Sequence, residues 1–375
     1  MHVFRKFIVW FVFISFAAST AALAKPTVLF VNPSIINEPF WLKTEMITQA
    51  AAADLDIQLD IVYGGGNRLI QFDEVRRYLQ YQKKPDYVIF MNYPGGAKPM
   101  MSLLEEYKVP FITLENNILD EERTQVGLPG ENFTYWLGEI FYDHQQAGKL
   151  LASDLIRQYQ KHHTESATVI GLSGHHGQES LARNQGLLES VAQSEAVSLG
   201  QIVYASWSEQ LAYQNTLKLL KRYPKTAMIW SASDLMGYGA IRASKELGLI
   251  VNKDVFIGGF DWLNPSLEKI IQGEMSASVG GHFMMGAWAL ISIADHMQGI
   301  PYWSHSKSKQ LIFELELVNQ DNVASLLPLM KQNQNAWIDF DFRQFSLQNQ
   351  AKAGYQFSVE KIVSNLKPSN TSLAK

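Results

Sequence analysis

Apolar runs of strand length alternate along this chain with segments whose apolar residues recur every three or four positions. The first run, Thr27–Val31, predicts a strand, and Pro39–Asp54 a helix with proline in its first turn. Ile57–Tyr63, Tyr87–Met91 and Phe111–Leu114 follow as strands, separated by helical patterns over Leu69–Gln82 and Lys98–Tyr107. The rhythm breaks between about Asn116 and Tyr142, a stretch of turn residues with few strand signals. It resumes with a helix from Asp143 to about Gln160. Strands are then expected over Ala167–Leu172, Ile202–Ala205, Ala227–Trp230, Val255–Gly259 and Ser276–Val279. Helices are expected over Gln178–Gln193, Glu209–Arg222, Leu235–Leu247, Pro265–Gln272 and Met284–Met297. Repeated units of this kind predict parallel sheets covered by helices. The break reads as a passage from one lobe to a second. Further passages are expected near Gly280-Gly281 and near Pro301–Lys309. Beyond Ser346 the chain is rich in Gln, Asn, Ser and Lys, which predicts a frayed tail.

The N-terminus changes the picture of where the chain works. Arg5 and Lys6 precede an apolar stretch over Phe7–Ala18, and Ala22-Leu23-Ala24 reads as a cleavage site. That is the pattern of a secretory leader over 1–24, with Lys25 as the first mature residue and the periplasm as the simplest destination. The alternative is an uncleaved anchor. No cysteine follows the site, which argues against a lipoprotein, and no later run reaches the roughly 18 apolar residues of a membrane helix. Zero cysteines in 375 residues exclude disulfides and thiolate chemistry. That length exceeds one comfortable core and predicts two domains. A formal charge of −4, without a basic block, argues against a nucleic-acid partner.

Ligands of open parallel sheets bind beyond the carboxyl ends of the strands, and two facing lobes would make a cleft there. After the first strand, where a nucleotide binder places glycines, this chain has no glycine and two large rings. Ser34, Glu38, Phe40 and Trp41 stand there. Asn92 follows the third strand, and Glu115 and Asn116 the fourth. In the second half the positions are Arg183, Trp207, Ser233 with Asp234, and Asp261 with Trp262. Carboxylates, amides and a guanidinium hydrogen-bond hydroxyls, and rings cover the C–H faces of a sugar. Each residue also has a structural reading. Phe40 or Trp41 could be a core knob, Glu38 a first-turn acid, Asp234 an N-cap, Arg183 a surface ion pair, and Asn92 and Asn116 turn formers.

Several motifs, in order, resemble the type I periplasmic sugar-binding proteins, the ribose- and galactose-binding family, and the related autoinducer-2-binding branch. These are NEPFW, YDHQQAGKLLASDL, ARNQG, SASDLMGYGAIRASKELG, FIGGFDW and SVGGHFMMGAWAL. The likeness covers roughly 25–322. It implies an α/β fold of two doubly wound parallel-sheet lobes joined by a three-crossing hinge. The expected division is 25–139 with 281–305, then 140–280 with 306–345, and a tail over 346–375. It implies that Ser34, Glu38, Phe40, Trp41, Asn92, Glu115 and Asn116 line one wall of the cleft. Arg183, Trp207, Ser233 and Asp261 would line the other, with Gly281 or His282 at the hinge and Asp234 in a structural role. Phe40 and Trp41 would stack on one face of the sugar and Trp207 on the other. Ribose binders carry Asp-Arg where Glu115-Asn116 stand, and asparagines where Glu38 and Ser233 stand. The hinge Gln of many members is missing from SVGGH. A ligand other than ribose is therefore expected.

The function implied is capture of a small sugar or sugar-like ligand for an ABC permease. The alternative is a ligand-binding partner of a membrane sensor, such as a histidine kinase or diguanylate cyclase. A monomer without cofactor or metal is expected. An exported hydrolase fits poorly. Gly64-Gly65-Gly66 lacks the Gly-Lys-Ser/Thr of a phosphate loop, and Ser173 is not in G-x-S-x-G. The adjacent pairs His162-His163 and His175-His176 do not share a helix face.

Overall fold

The computed structural model describes residues 24–118, 120–300, 308–326, 340–349, 354–358 and 361. The first half begins β1 (Thr27–Asn32), α1 (Pro39–Asp54), β2 (Gln58–Tyr63), α2 (Arg68–Tyr81), β3 (Tyr87–Met91), α3 (Ala97–Glu106) and β4 (Phe111–Glu115). Then come α4 (Asp120–Val126), β5 (Trp136–Tyr142), α5 (His144–His162), β6 (Ala167–Ser173), α6 (Gln178–Ala192) and β7 (Val197–Tyr204). Next are α7 (Glu209–Arg222), β8 (Thr226–Ser231), α8 (Asp234–Glu246), β9 (Phe256–Phe260), α9 (Asn264–Ile271) and β10 (Ala277–Gly280). A 3-10 turn over His282–Met284 leads into α10 (Met285–Met297), followed by β11 (Gln310–Phe313) and β12 (Glu316–Asn319). Helix starts follow side-chain chemistry: Asn67, Asp143 and Ser208 accept backbone N–H groups at the first turns of α2, α5 and α7.

Two sheets result, ordered β2-β1-β3-β4-β5-β11 and β7-β6-β8-β9-β10-β12. Neighbouring strands run parallel except the β10–β12 pair. Central strands such as β1 and β8 are buried along their whole length, which is why they read as unbroken apolar runs. The chain passes between the sheets three times: after Tyr142, after Gly280, and between Phe313 and Glu316.

Five expectations change, the last of them the tail. The stretch read as structureless, 116–142, holds α4 and β5. Gly138 and Glu139 interrupt the apolar run of β5, which hides it from periodicity. Glu139 is nevertheless fully buried, because Arg123 pairs with it at 2.8 Å and Gln310 and the Ile118 N–H also donate to it. The boundary expected at 139/140 therefore cuts a strand; all of β5 lies in the first sheet. The third passage falls at 314–315, later than 301–309, of which 301–307 lie outside the described residues. Placing 306–345 with the second lobe fits β12 and the 3-10 turn at Val323–Leu326, which packs on α9, but not β11, which pairs with β5. The 3-10 turn at Phe342–Phe345 docks instead on first-lobe helices: the Phe342 N–H donates to Asp54 of α1, and Phe345 meets Trp288 of α10.

The tail is not all frayed. Buried Asp295 accepts from Ser346 Oγ, the Leu347 N–H and Tyr355 OH. Phe357 stacks on Trp288 with ring centres 4.3 Å apart. A few apolar side chains in a polar segment suffice to hold it, and composition averages over them. The leader expected over 1–24 lies outside the described residues up to 23.

Candidate functional site

The carboxyl ends of both sheets meet at the hinge. Tyr142, the last residue of β5, sits at this junction. Its ring centre lies 5.2 Å from His282 at the second crossing and 5.7 Å from Phe313 at the third. Its hydroxyl accepts from Arg183 Nη2 in the first turns of α6. Arg183 Nη1 donates to the Ala232 carbonyl at 2.7 Å, and its guanidinium lies 4.6 Å from the Phe260 ring centre and 5.7 Å from that of Trp207. At 3% exposure it is no surface ion-pair partner. Burial opposes its charge, yet Tyr142, Asp261 and Glu115 hold its pKa above the ordinary value.

The strand ends turn sharply to present these groups. Glu115 has φ +64°, Trp207 +60° and Asp261 +108°, all in the left-handed region where a side chain is strained. Such positions cost of order 1–3 kcal/mol each and cluster at functional sites. The Trp207 ring lies on Gly174: a Cβ there would come within 2.0 Å of it.

From the first lobe, Asn92, Glu115 and Asn116 lie together, and Asn116 Nδ2 donates to the Asn92 carbonyl at 3.4 Å. All three are buried. Burial pushes the Glu115 carboxyl up to about 8, against Arg183, which lowers it, and with help from Glu179 and Glu38. From the second lobe, Asp261 Oδ1 lies 3.3 Å from His282 Nε2. Burial raises the Asp261 carboxyl and lowers the His282 imidazole, which disfavours the charged form of each. His282 also stacks on Phe40 at 4.3 Å, so one face of that ring is already occupied. Trp41 packs edge-on against Phe40 at 5.3 Å.

Other expected residues do local work. Glu38 is the N-cap of α1 and accepts from the Trp41 N–H at 2.9 Å. Ser233, not Asp234, caps α8 and accepts from the Met236 N–H. Asp234 is structural, accepting from Ser278 Oγ and the Leu263 N–H. Ser34 is half-buried at the rim, its N–H held by Asn32 Oδ1.

Sequence reasoning missed four groups. Tyr142 was hidden with β5. His144 donates from Nε2 to the Glu115 carbonyl at 3.1 Å, and burial drives its pKa down to about 3. Glu179 and Lys43 face the same region. Lys43 Nζ reaches across the lobes to the Trp262 carbonyl at 2.5 Å and lies 4.0 Å from the Phe283 ring centre. Its helical position, three residues after Phe40 and four before Ile47, puts it on the inward face of α1, and that spacing could have flagged it.

The cleft therefore presents unpaired buried polar atoms from both lobes. Among the described residues these include Asn92 Oδ1, Glu115 Oε2, Asn116 Oδ1, Arg183 Nε and His282 Nδ1. Native interiors rarely leave such atoms unmet, which makes this junction the candidate site for a polar molecule. Among the described residues no group of three or more His, Cys, Asp or Glu could hold a metal, and no helix is long and apolar enough to cross a membrane.

Comparison with known proteins bears on the fold and the family. A crystal structure of a periplasmic sugar-binding protein from Pseudomonas fluorescens superposes with a TM-score of 0.79 at 26% identity, covering 89% of this chain and 98% of that one. The galactofuranose-binding protein YtfQ of Escherichia coli K12 is 22% identical over 273 residues, 71% of this chain and 80% of its own length. The transcriptional regulator MalR of Clostridium butyricum is 28% identical over 127 residues, and the chain spans only 34% of its length. The fructose-binding periplasmic domain of the hybrid two-component system BT1754 shares the fold, with a TM-score of 0.64 at 19% identity, over 80% of this chain and 93% of that one. The family model for the periplasmic binding protein domain matches residues 28–301. The α/β architecture of two parallel-sheet lobes is the type I form of that fold, and the chain belongs to the periplasmic binding protein domain family.

Proposed function

We propose that this protein is a periplasmic solute-binding protein that captures a small sugar between its lobes and delivers it to an ABC permease. The observation that carries this reading is the set of unpaired buried polar atoms from both lobes, Glu115 Oε2 and Arg183 Nε foremost. A ligand that bonds to both walls stabilises the closed arrangement by its differential affinity for it, and a membrane partner reads that closure. The periplasmic relatives described above are sugar-binding proteins by name, and this chain is proposed to bind without turnover, as a monomer, with no nucleic-acid partner. The apolar N-terminal run and its Ala-Leu-Ala site support export by a cleaved leader. A sensor partner is the second reading; the shared fold with the two-component periplasmic domain favours it, at an identity that speaks for the fold alone.

The test is a thermal-shift screen of the ligand-stripped mature protein against pentoses, hexoses in both ring forms, sugar alcohols and autoinducer-2. A ligand at about 100 times its Kd adds roughly 2.7 kcal/mol, a shift that is easily read. Arg183→Ala should abolish most of it. No shift with any sugar would overturn the reading.

A further inference from the structure

The first-lobe side of the cleft is unbalanced in hydrogen-bonding sense. Asn92, Glu115 and Asn116 are 2%, 7% and 3% exposed, and each keeps one oxygen without a donor. The three come from the adjacent ends of β3 and β4, so the residues that carry the orphan acceptors stand together at one end of the first sheet. Two further carboxylates, Glu38 and Glu179, lie close enough to act on Glu115, and Asp261 stands on the second lobe within reach of Glu38. One guanidinium faces these carboxylates. Arg183 spends its Nη atoms on neutral oxygens, the Ala232 carbonyl and the Tyr142 hydroxyl, and keeps Nε free. The neighbouring cation, Lys43, is engaged by the Trp262 carbonyl.

The three classes of sugar fare differently here. A sugar acid gains one guanidinium but brings another carboxyl group toward those of Glu115, Glu38 and Glu179. A neutral polyol supplies donors but leaves Glu115 as the uncharged acid that burial favours. An ammonium supplies three donors on one atom and a positive charge that favours the ionised form of Glu115, beside the orphan oxygens of Asn92 and Asn116. We propose, resting on the sugar-binding reading above, that the ligand carries a protonated amino group seated on Glu115 Oε2 and the Asn92 and Asn116 side-chain oxygens, while one of its ring or hydroxyl oxygens accepts from Arg183 Nε. The site is thus selective for an amino sugar or a related amino polyol over neutral and acidic counterparts.

Calorimetric titration of the mature protein with matched probes tests this. The probes are D-galactose, D-galactosamine, N-acetyl-D-galactosamine and D-galacturonic acid, with the corresponding glucose and ribose series. The amine should bind about tenfold or more tighter than its neutral parent, which is about 1.4 kcal/mol. Acetylation, which removes the charge, should cancel that advantage, and the acid should bind weakest. Glu115→Gln should remove the difference between amine and parent. Glu38→Gln, at a less buried position, should reduce it, and serves if the Glu115 variant does not fold. Neutral sugars binding as well as their amines, or an acid binding tightest, would overturn the inference and leave the sugar-binding reading intact. Failure of every sugar in the panel would overturn both.

Discussion

At the scale of single residues, the site is a collection of charges held where water does not stabilise them. Glu115 shows the consequence most directly. Its carboxyl is pushed from 4.5 to about 8 by burial, and that of Asp234 from 3.8 to about 7. A raised carboxyl binds its proton more tightly folded than unfolded. Its contribution is therefore complete below the unfolded pKa and is lost as pH rises through the folded one. The buried histidines act in the opposite sense. His144, lowered from 6.5 to about 3, and His282, also lowered, destabilise the fold as pH falls below 6.5. Lys43, lowered from 10.5 to about 8, adds no pH dependence below that value. Below pH 6.5 the carboxyl and histidine effects oppose each other, and above it only the carboxyl loss remains, so the ligand-free protein should lose stability as pH rises past 6.5. Between pH 6.5 and 8 it should lose about 1–2 kcal/mol through Glu115. Thermal unfolding across that range measures it. A flat profile, or one unchanged by Glu115→Gln, would show that Glu115 ionises normally.

At the scale of elements, the position of Arg183 depends on how α5 and α6 touch. A Cβ on Gly148 of α5 would come within 2.1 Å of the Arg183 carbonyl, and one on Gly186 of α6 within 2.1 Å of the Gln145 carbonyl. The two helices meet backbone to backbone, and the Gly148 carbonyl also accepts from Trp230 Nε1. Gly148→Ala would gain up to about 1 kcal/mol of helix propensity and lose about 1–3 kcal/mol to overpacking, so the net effect should be destabilising. It should also weaken sugar binding by displacing Arg183, although the residue touches no ligand group. Unfolding and titration of the same variant test both halves, and unaltered binding at lowered stability would separate the contact from the site. The ARNQG motif was legible as a family feature. That its glycine exists for α5, and its arginine for Tyr142, was not, because both partners are tens of residues away in sequence.

At the scale of the whole molecule, closure is a contest between two lobes that share one hinge. Lys43 joins Arg183 as a cation that spans them, from α1 to the Trp262 carbonyl beside Asp261. Its approach to Phe283 adds a cation–π contact worth about 0.5–2 kcal/mol. Lys43→Met keeps the stem and loses the bond and the charge. The variant should open more, with a larger radius of gyration in solution scattering and a ligand Kd raised about tenfold. An unchanged Kd would mean that the bond forms equally in open and closed states. Tyr142 belongs to this scale too, since all three crossings or their neighbours pack around it. The sequence reading lost it by treating 116–142 as a linker.

The sequence by itself determined the alternation of strands and helices, the parallel sheets, the end of the sheets where polar groups collect, and the family. Those features are local or periodic, and fully buried strands such as β1 announce themselves as apolar runs. Only the tertiary structure decided which of the candidates do local work. Glu38 and Ser233 cap helices, Arg183 is buried rather than paired on the surface, and Phe40 has His282 for a neighbour. It also placed β5, the third crossing and the docked tail, because each depends on a distant partner: Arg123 neutralising Glu139, β5 receiving β11, and Asp295 holding Ser346 and Tyr355. A charge inside a strand or a polar tail reads as exposed until the group that satisfies it is seen, and pairing across the fold is what periodicity along the chain does not carry.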